Sequence, residues 1–174
     1  KAVTILAAGQ LVAFPTETVY GLGADATNAA AVARIFAAKQ RPAFNPLISH
    51  VASADAAFAL GQKTPLAAAL AAALWPGPLT LILQRNDDCP VAMLTTARLD
   101  KIGIRVPAHR GGQTLLQAFG KPIAAPSANP SGRISPSTAK HVLDGLNGRL
   151  DLVRDGGSCE SGLESTIVDC TGDF

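Results

Sequence analysis

The sequence predicts an α/β layered domain built around one sheet. Three observations predict it. Short apolar, strand-like runs alternate with helical patterns along the chain. Its 174 residues suffice for one domain with a sizeable core. Apolar residues make up 48% and charged residues only 16%, the balance of wide buried layers rather than of a disordered chain.

The elements follow in order. Leu11 to Phe14 is a strand-like run stopped by Pro15. Asn28 caps a helix with the stripe Val32, Ile35 and Phe36, and Pro42 ends it. Leu47 to Val51 is a second strand. Ser53 and Thr64 cap two alanine-rich helices, with Gly61 closing the first and Pro65 at the first position of the second. Trp75-Pro-Gly-Pro78 is a rigid turn feeding the strand Leu79 to Leu83, and Gln84 to Asp100 is a long polar loop. Ile102, Ile104 and Val106 alternate with Gly103 and Arg105, the period of a half-buried strand. Leu115 to Phe119 is helical and ends at Gly120. Ile123 to Ala125 is a strand running into Pro126-Ser-Ala-Asn-Pro-Ser-Gly132. Ser137 caps a helix to about Leu146, and Leu152-Val153 and Thr166 to Val168 are the last strands. No repeat or linker interrupts them, so residues 1–174 form a single domain.

Several function classes are excluded. No apolar run reaches the roughly 18 residues of a membrane span. The first residues show no basic segment followed by an apolar stretch, so they hold no signal peptide. Cys89, Cys159 and Cys170 are odd in number and lack C-x-x-C spacing, which argues against a disulfide framework or a zinc site and for a reducing cytoplasm. A net charge of +2 is too mild to argue for nucleic acid. No P-loop motif occurs. Gly21-Leu-Gly23-Ala-Asp-Ala26 fits the loose dinucleotide pattern, but the acidic residue expected about 20 positions on is missing. The two glycines read as a tight backbone bend.

The remaining candidates are polar residues at strand and helix ends. Lys39 continues the stripe of Ile35 and Phe36, so it leaves the helix on its inward face. There it either complements the helix C-terminus or meets a ligand. Arg41 follows closely, and two cations at one helix end suit a triphosphate. Arg105 is either a solvated strand residue or a carboxylate fork, with Gly103 leaving room beside it. Ser127 and Asn129 lie between two prolines at a strand end, as a simple turn or as ligand contacts. Ser135 precedes a helix start, where backbone N–H groups cap or bind an anion. His50 has no metal-like spacing and by itself reads as structural. Glu17 is a lone carboxylate without a general-base partner. No covalent nucleophile stands out, which favours catalysis by positioning and charge stabilisation.

Pro15-Thr-Glu-Thr-Val-Tyr-Gly-Leu-Gly23, Lys39-Gln-Arg41-Pro with Asn45-Pro-Leu47, Trp75-Pro-Gly-Pro-Leu-Thr80, Arg105-Val-Pro-Ala-His109, Ala125-Pro-Ser-Ala-Asn129 and Glu164-Ser-Thr-Ile-Val-Asp169 occur in this order. Together they closely resemble the Sua5/YrdC/YciO family, from Leu11 to Asp169. The resemblance implies a twisted mixed sheet flanked by helices, with a large, concave, positively charged cavity. It implies a nucleotidyltransferase: L-threonine, bicarbonate and ATP give threonylcarbamoyl-AMP and pyrophosphate, with Mg²⁺ held mainly by phosphates and no metal ligand from the protein. Partner proteins, the tRNA threonylcarbamoyl-transferase machinery, then modify adenosine 37 of tRNA. It also implies that Thr18, His50, Arg105, Ser165 and the backbone of Ala125 hold threonine. Lys39, Arg41, Asn45, Ser127, Asn129 and Ser135 would hold ATP, with Lys39 and Arg41 catalytic and Lys101 approaching the nucleotide. Alanine at Lys39 or Arg41 is then expected to weaken phosphate binding with little effect on folding.

The family pattern continues to a Leu-Arg-Pro-Gly-like segment beyond Phe174, so a C-terminal segment or Sua5-type domain is expected to follow. Two rivals stand beside this reading. One is a module binding double-stranded RNA or tRNA, which calls for an outer basic stripe. The other is the carbamoyl-adenylate-forming domain of hydrogenase-maturation proteins, whose zinc-finger-like cysteines are not found here.

Overall fold

A computed structural model describes residues 1–172. The chain runs α1 (Ala2–Ala7), β1 (Val12–Pro15), β2 (Tyr20–Asp25), α2 (Ala29–Lys39), β3 (Ser49–His50), α3 (Ala54–Phe58), α4 (Pro65–Leu74), β4 (Leu79–Gln84), β5 (Lys101–Arg105), α5 (Arg110–Phe119), β6 (Ile123–Ala124), α6 (Ala139–Leu146), β7 (Leu152–Val153) and β8 (Thr166–Asp169). The strands form one twisted, eight-stranded sheet in the order β7-β1-β2-β6-β3-β5-β4-β8. Pairing is mixed: β1–β7, β3–β5 and β4–β8 are parallel and the other neighbours antiparallel. No described helix is long and apolar enough to cross a membrane.

Alternation along the strands divides the core in two. Leu11, Ala13, Tyr20 and Leu22 join the larger cluster with Val32 and Ile35 of α2. Val12 and Phe14 face the other way, onto Leu6, Leu115 and Leu116 of α1 and α5. Further along the sheet, Leu81, Leu83, Ile102 and Ile104 turn into the larger cluster. The opposite face there carries Thr80, Ile82, Lys101 and Gly103, and it is the open floor of a cavity.

The caps at Asn28, Ser53 and Thr64 each accept a backbone N–H of the first helical turn, as their sequence context predicts. Several expectations are corrected. Thr138, not Ser137, caps α6, through a bond from the His141 N–H. Helix α2 ends three residues before Pro42, because Gln40 takes a left-handed conformation (φ 52°). Helix α3 ends at Phe58, before Gly61, and strand β3 is shorter than the apolar run around it. Helix α5 begins at Arg110, capped by His109 Nδ1, which accepts from Gly111 and Gly112. The helix-averse Gly112 is needed because a Cβ there would lie 2.9 Å from the Pro15 carbonyl.

Gly21 and Gly23 do not bend the chain: both lie in strand β2. A Cβ on Gly23 would sit 2.9 Å from both Phe14 Cε1 and Ile123 Cγ2, so glycine makes room for the Phe14 ring.

Candidate functional site

Two connected chambers open on the uncovered face of the sheet. The larger, about 420 Å³, is floored by β4, β5 and β8 and walled by Arg41, Leu99, Ser127 and Glu164. The smaller, about 30 Å³, lies between Thr18, His50, Arg105, Ala125 and Ser165. They share Ile48, Pro126, Ser127 and Glu164. The family pattern's threonine set therefore gathers in one small chamber, although its members are far apart in sequence.

Arg105 is not a solvated strand residue. It is 4% exposed. Its Nε donates to Gly77 O at 3.2 Å, Nη1 to Thr18 Oγ1 at 2.9 Å and Nη2 to Glu17 Oε1 at 2.7 Å. A guanidinium has five N–H groups, so one on each terminal nitrogen stays uncommitted. Thr18 Oγ1 also shares a bond of 2.8 Å with Thr16 Oγ1. Ser165 Oγ pairs with Thr80 Oγ1 at 2.8 Å. His50 sits edge-on to Phe14 and is buried, and its Nδ1 has no partner among the described residues. Burial, with the charge of Arg105, pushes its pKa down to about 3, so the imidazole is neutral near pH 7.

Lys39 reaches the site from beneath. It is 1% exposed. Its Nζ donates to the carbonyls of Ser127 and Asn129, both at 2.5 Å, and to Asn129 Oδ1 at 3.4 Å. All three ammonium protons are thus committed to the Ser127–Asn129 loop. That loop is tied from above as well, Leu22 donating to Pro126 O and Ala128 to Tyr20 O, both at 2.8 Å. These bonds argue against the expectation that alanine at Lys39 has little effect on folding. Burial, reinforced by Arg41 and opposed by Glu164, brings its pKa down to about 8. The left-handed Gln40 separates the two cations, sending Lys39 under the loop and Arg41 into the cavity wall. Arg41 bonds Pro46 O at 3.3 Å and its buried Nε has no partner among the described residues.

The other expected residues spread outward. Lys101 lines the larger chamber, paired with Asp169 at 3.2 Å. Asn45 lies in the turn between Arg41 and Pro46, both of which line the wall. Ser135 donates to Glu164 Oε1 at 2.5 Å, at the rim. Asn129 turns to a separate groove with Arg133, His141 and Arg149, its Nδ2 donating to Arg133 O at 2.6 Å. Sequence reasoning set aside Glu17 and did not single out Thr80 or the side chain of Glu164. A buried arginine requires a partner for its charge, and only the structure shows that the partner is Glu17. The chamber wall mixes Arg41 and Lys101 with Glu164 and Asp169. No described cluster of three or more His, Cys, Asp or Glu could hold a metal ion.

Known proteins share this arrangement of sequence and fold. The Sua5/YciO/YrdC family model, described as "Telomere recombination", matches residues 4–174. A threonylcarbamoyl-AMP synthase of Pyrococcus abyssi is 49% identical over 164 residues, which is 94% of this chain and 48% of that protein. One of Bacillus subtilis is 45% identical over 175 residues, all of this chain and 50% of that protein. The solved structure of P. abyssi Sua5 complexed with L-threonine superposes with a TM-score of 0.92 at 47% identity, covering 97% of this chain and 49% of that one. The chain spans about half the length of these relatives. With the fold, the gathered motifs and these matches in agreement, the chain belongs to the Sua5/YciO/YrdC family.

Proposed function

We propose that this chain makes threonylcarbamoyl-AMP and pyrophosphate from L-threonine, bicarbonate and ATP. One observation carries the reading. A small buried chamber holding a half-committed arginine fork and a neutral histidine with an unpartnered nitrogen opens directly into a larger chamber walled by Arg41. Its relatives' names, and the threonine complex of one of them, support the same substrates.

The threonine carboxylate takes the two uncommitted N–H groups of Arg105, a bidentate geometry. The side-chain hydroxyl meets His50, Thr18 or Ser165. The backbone of Ala125 closes the chamber. The amine then points toward Glu164 and the larger chamber and attacks the carbon of bicarbonate, forming the N–C bond of N-carboxythreonine with loss of water. That carboxylate attacks the α-phosphorus of ATP, and pyrophosphate leaves in line.

Arg41 stabilises the charge on the phosphates. Ser127 touches both substrates' chambers, while Lys39 holds its loop in shape and adds a positive charge behind it. Lys101 in the larger chamber, with Asn45 and Ser135 beside its wall, extends the nucleotide contacts, while Asn129 turns to the separate groove and contributes through the loop that Lys39 holds. Such a transfer needs positioned charge rather than a covalent nucleophile. Mg²⁺ would be carried on the phosphate oxygens and would neutralise charge on the leaving group, since no described cluster of three or more His, Cys, Asp or Glu offers it a protein site. The product then passes to the tRNA threonylcarbamoyl-transferase proteins.

The test is pyrophosphate release by the full-length protein with bicarbonate and each amino acid in turn. Threonine should exceed valine by a large factor, up to about 10⁴, because valine leaves buried polar groups unpaired. Serine, one methyl smaller, should lose only about 1–3 kcal/mol. R105K should be damaging although the charge is kept, since an ammonium cannot form the fork. Equal rates for threonine and valine would sink the threonine assignment. Full activity with no amino acid would point to a carbamoyl-adenylate instead.

A further inference from the structure

We infer that Glu17 is a positioning residue that fixes the Arg105 guanidinium so that the small chamber selects a free α-carboxylate. This rests on the reading of that chamber as an amino-acid site. Glu17 follows strand β1 and does not line either chamber. Its side chain is 12% exposed and that of Arg105 is 4% exposed.

Both carboxylate oxygens are committed. Oε1 accepts from Arg105 Nη2 at 2.7 Å, and Oε2 accepts from the Ala108 N–H at 3.0 Å, just before helix α5. A carboxylate held from two sides cannot rotate, so it anchors the guanidinium plane. Gly77 O and Thr18 Oγ1 fix the other two edges. Arg105 is therefore oriented before any ligand arrives, and no binding energy is spent ordering a long side chain.

What the fixed guanidinium presents is geometry: one N–H on each terminal nitrogen, matched to a planar carboxylate. An amide in its place sets N–H against N–H. Glu17 lines neither chamber, so it acts only through Arg105.

The experiment compares wild type with E17Q and E17D in the full-length protein. Glutamine keeps an acceptor for Arg105 but turns an NH₂ toward the Ala108 N–H. Aspartate keeps the charge and reaches only one of the two donors. Affinities for L-threonine, L-threoninamide and ATP are measured by calorimetry, with KM and kcat for threonine alongside.

E17Q should lose about ten- to a hundredfold in threonine affinity, as for a charged hydrogen bond. Threoninamide and ATP affinities should hold within about twofold, so the preference for carboxylate collapses and KM rises more than kcat falls. E17D should recover part of the preference, and it carries the test alone if E17Q does not fold. A variant that weakens threonine, threoninamide and ATP together, or that keeps the wild-type preference, overturns the inference. A wild-type protein that itself shows no preference for threonine over its amide overturns the amino-acid reading as well.

Discussion

Replacing Lys39 by methionine keeps the bulk of the side chain and removes its donors. The carbonyls of Ser127 and Asn129 then lose their bonds at 2.5 Å to Nζ. An acceptor left unsatisfied in a buried setting costs about 1–3 kcal/mol, so the two together cost about 2–6 kcal/mol. The desolvation of a buried ammonium is relieved at the same time, which offsets part of this. A net loss of about 3 kcal/mol corresponds to roughly 6–12 °C in Tm for a protein of this size.

Arg41 supplies the control, because its methionine variant loses a single bond of 3.3 Å to Pro46 O and should cost under about 1 kcal/mol. Urea and thermal unfolding measure both. Hydrogen exchange at the Ser131 amide, which donates to Lys39 O at 2.8 Å, reports the loop directly. The pH dependence adds a sign. The native pKa of about 8 lies below the ordinary 10.5, so between these values the unfolded chain holds more protons. Wild-type stability should therefore gain a rising component from about pH 8 to 10.5, and K39M should lack it. Equal stability of K39M and R41M, with unchanged exchange at Ser131, would refute the loop-clamp argument.

G23A should destabilise the protein by about 1–3 kcal/mol in urea unfolding, because its Cβ would fall 2.9 Å from Phe14 and Ile123 in a packed layer. His50 should show no imidazole titration by NMR above pH 5, its native pKa of about 3 lying far below the ordinary 6.5. Between those values the unfolded state binds the extra proton, so stability should fall as pH drops from about 6.5 toward 3, and H50N should remove that component.

Much of the local structure is determined by the sequence alone. Asn28, Ser53 and Thr64 cap helices because each oxygen lies beside the N–H groups it must satisfy. The alternation from Ile102 to Val106 puts Gly103 and Arg105 on one face whatever lies beyond. The ordered motifs gave the family. Strand β2 escaped because its residues, Tyr20 to Asp25, are buried on both sides and carry two glycines that a local reading assigns to a bend.

Only the tertiary structure decided the partners. Glu17 and Arg105 are 88 residues apart, and Lys39 and Ser127 also 88. Nothing local marks either pair. Arg105 is buried rather than a surface residue because Glu17 and Thr18 accept from its guanidinium, and Lys39 is held inside because the loop from Ser127 to Asn129 accepts its ammonium protons. Polar side chains carry no periodic signature of what they meet; burial imposes the requirement for a partner, and the chain's path through the sheet selects which one.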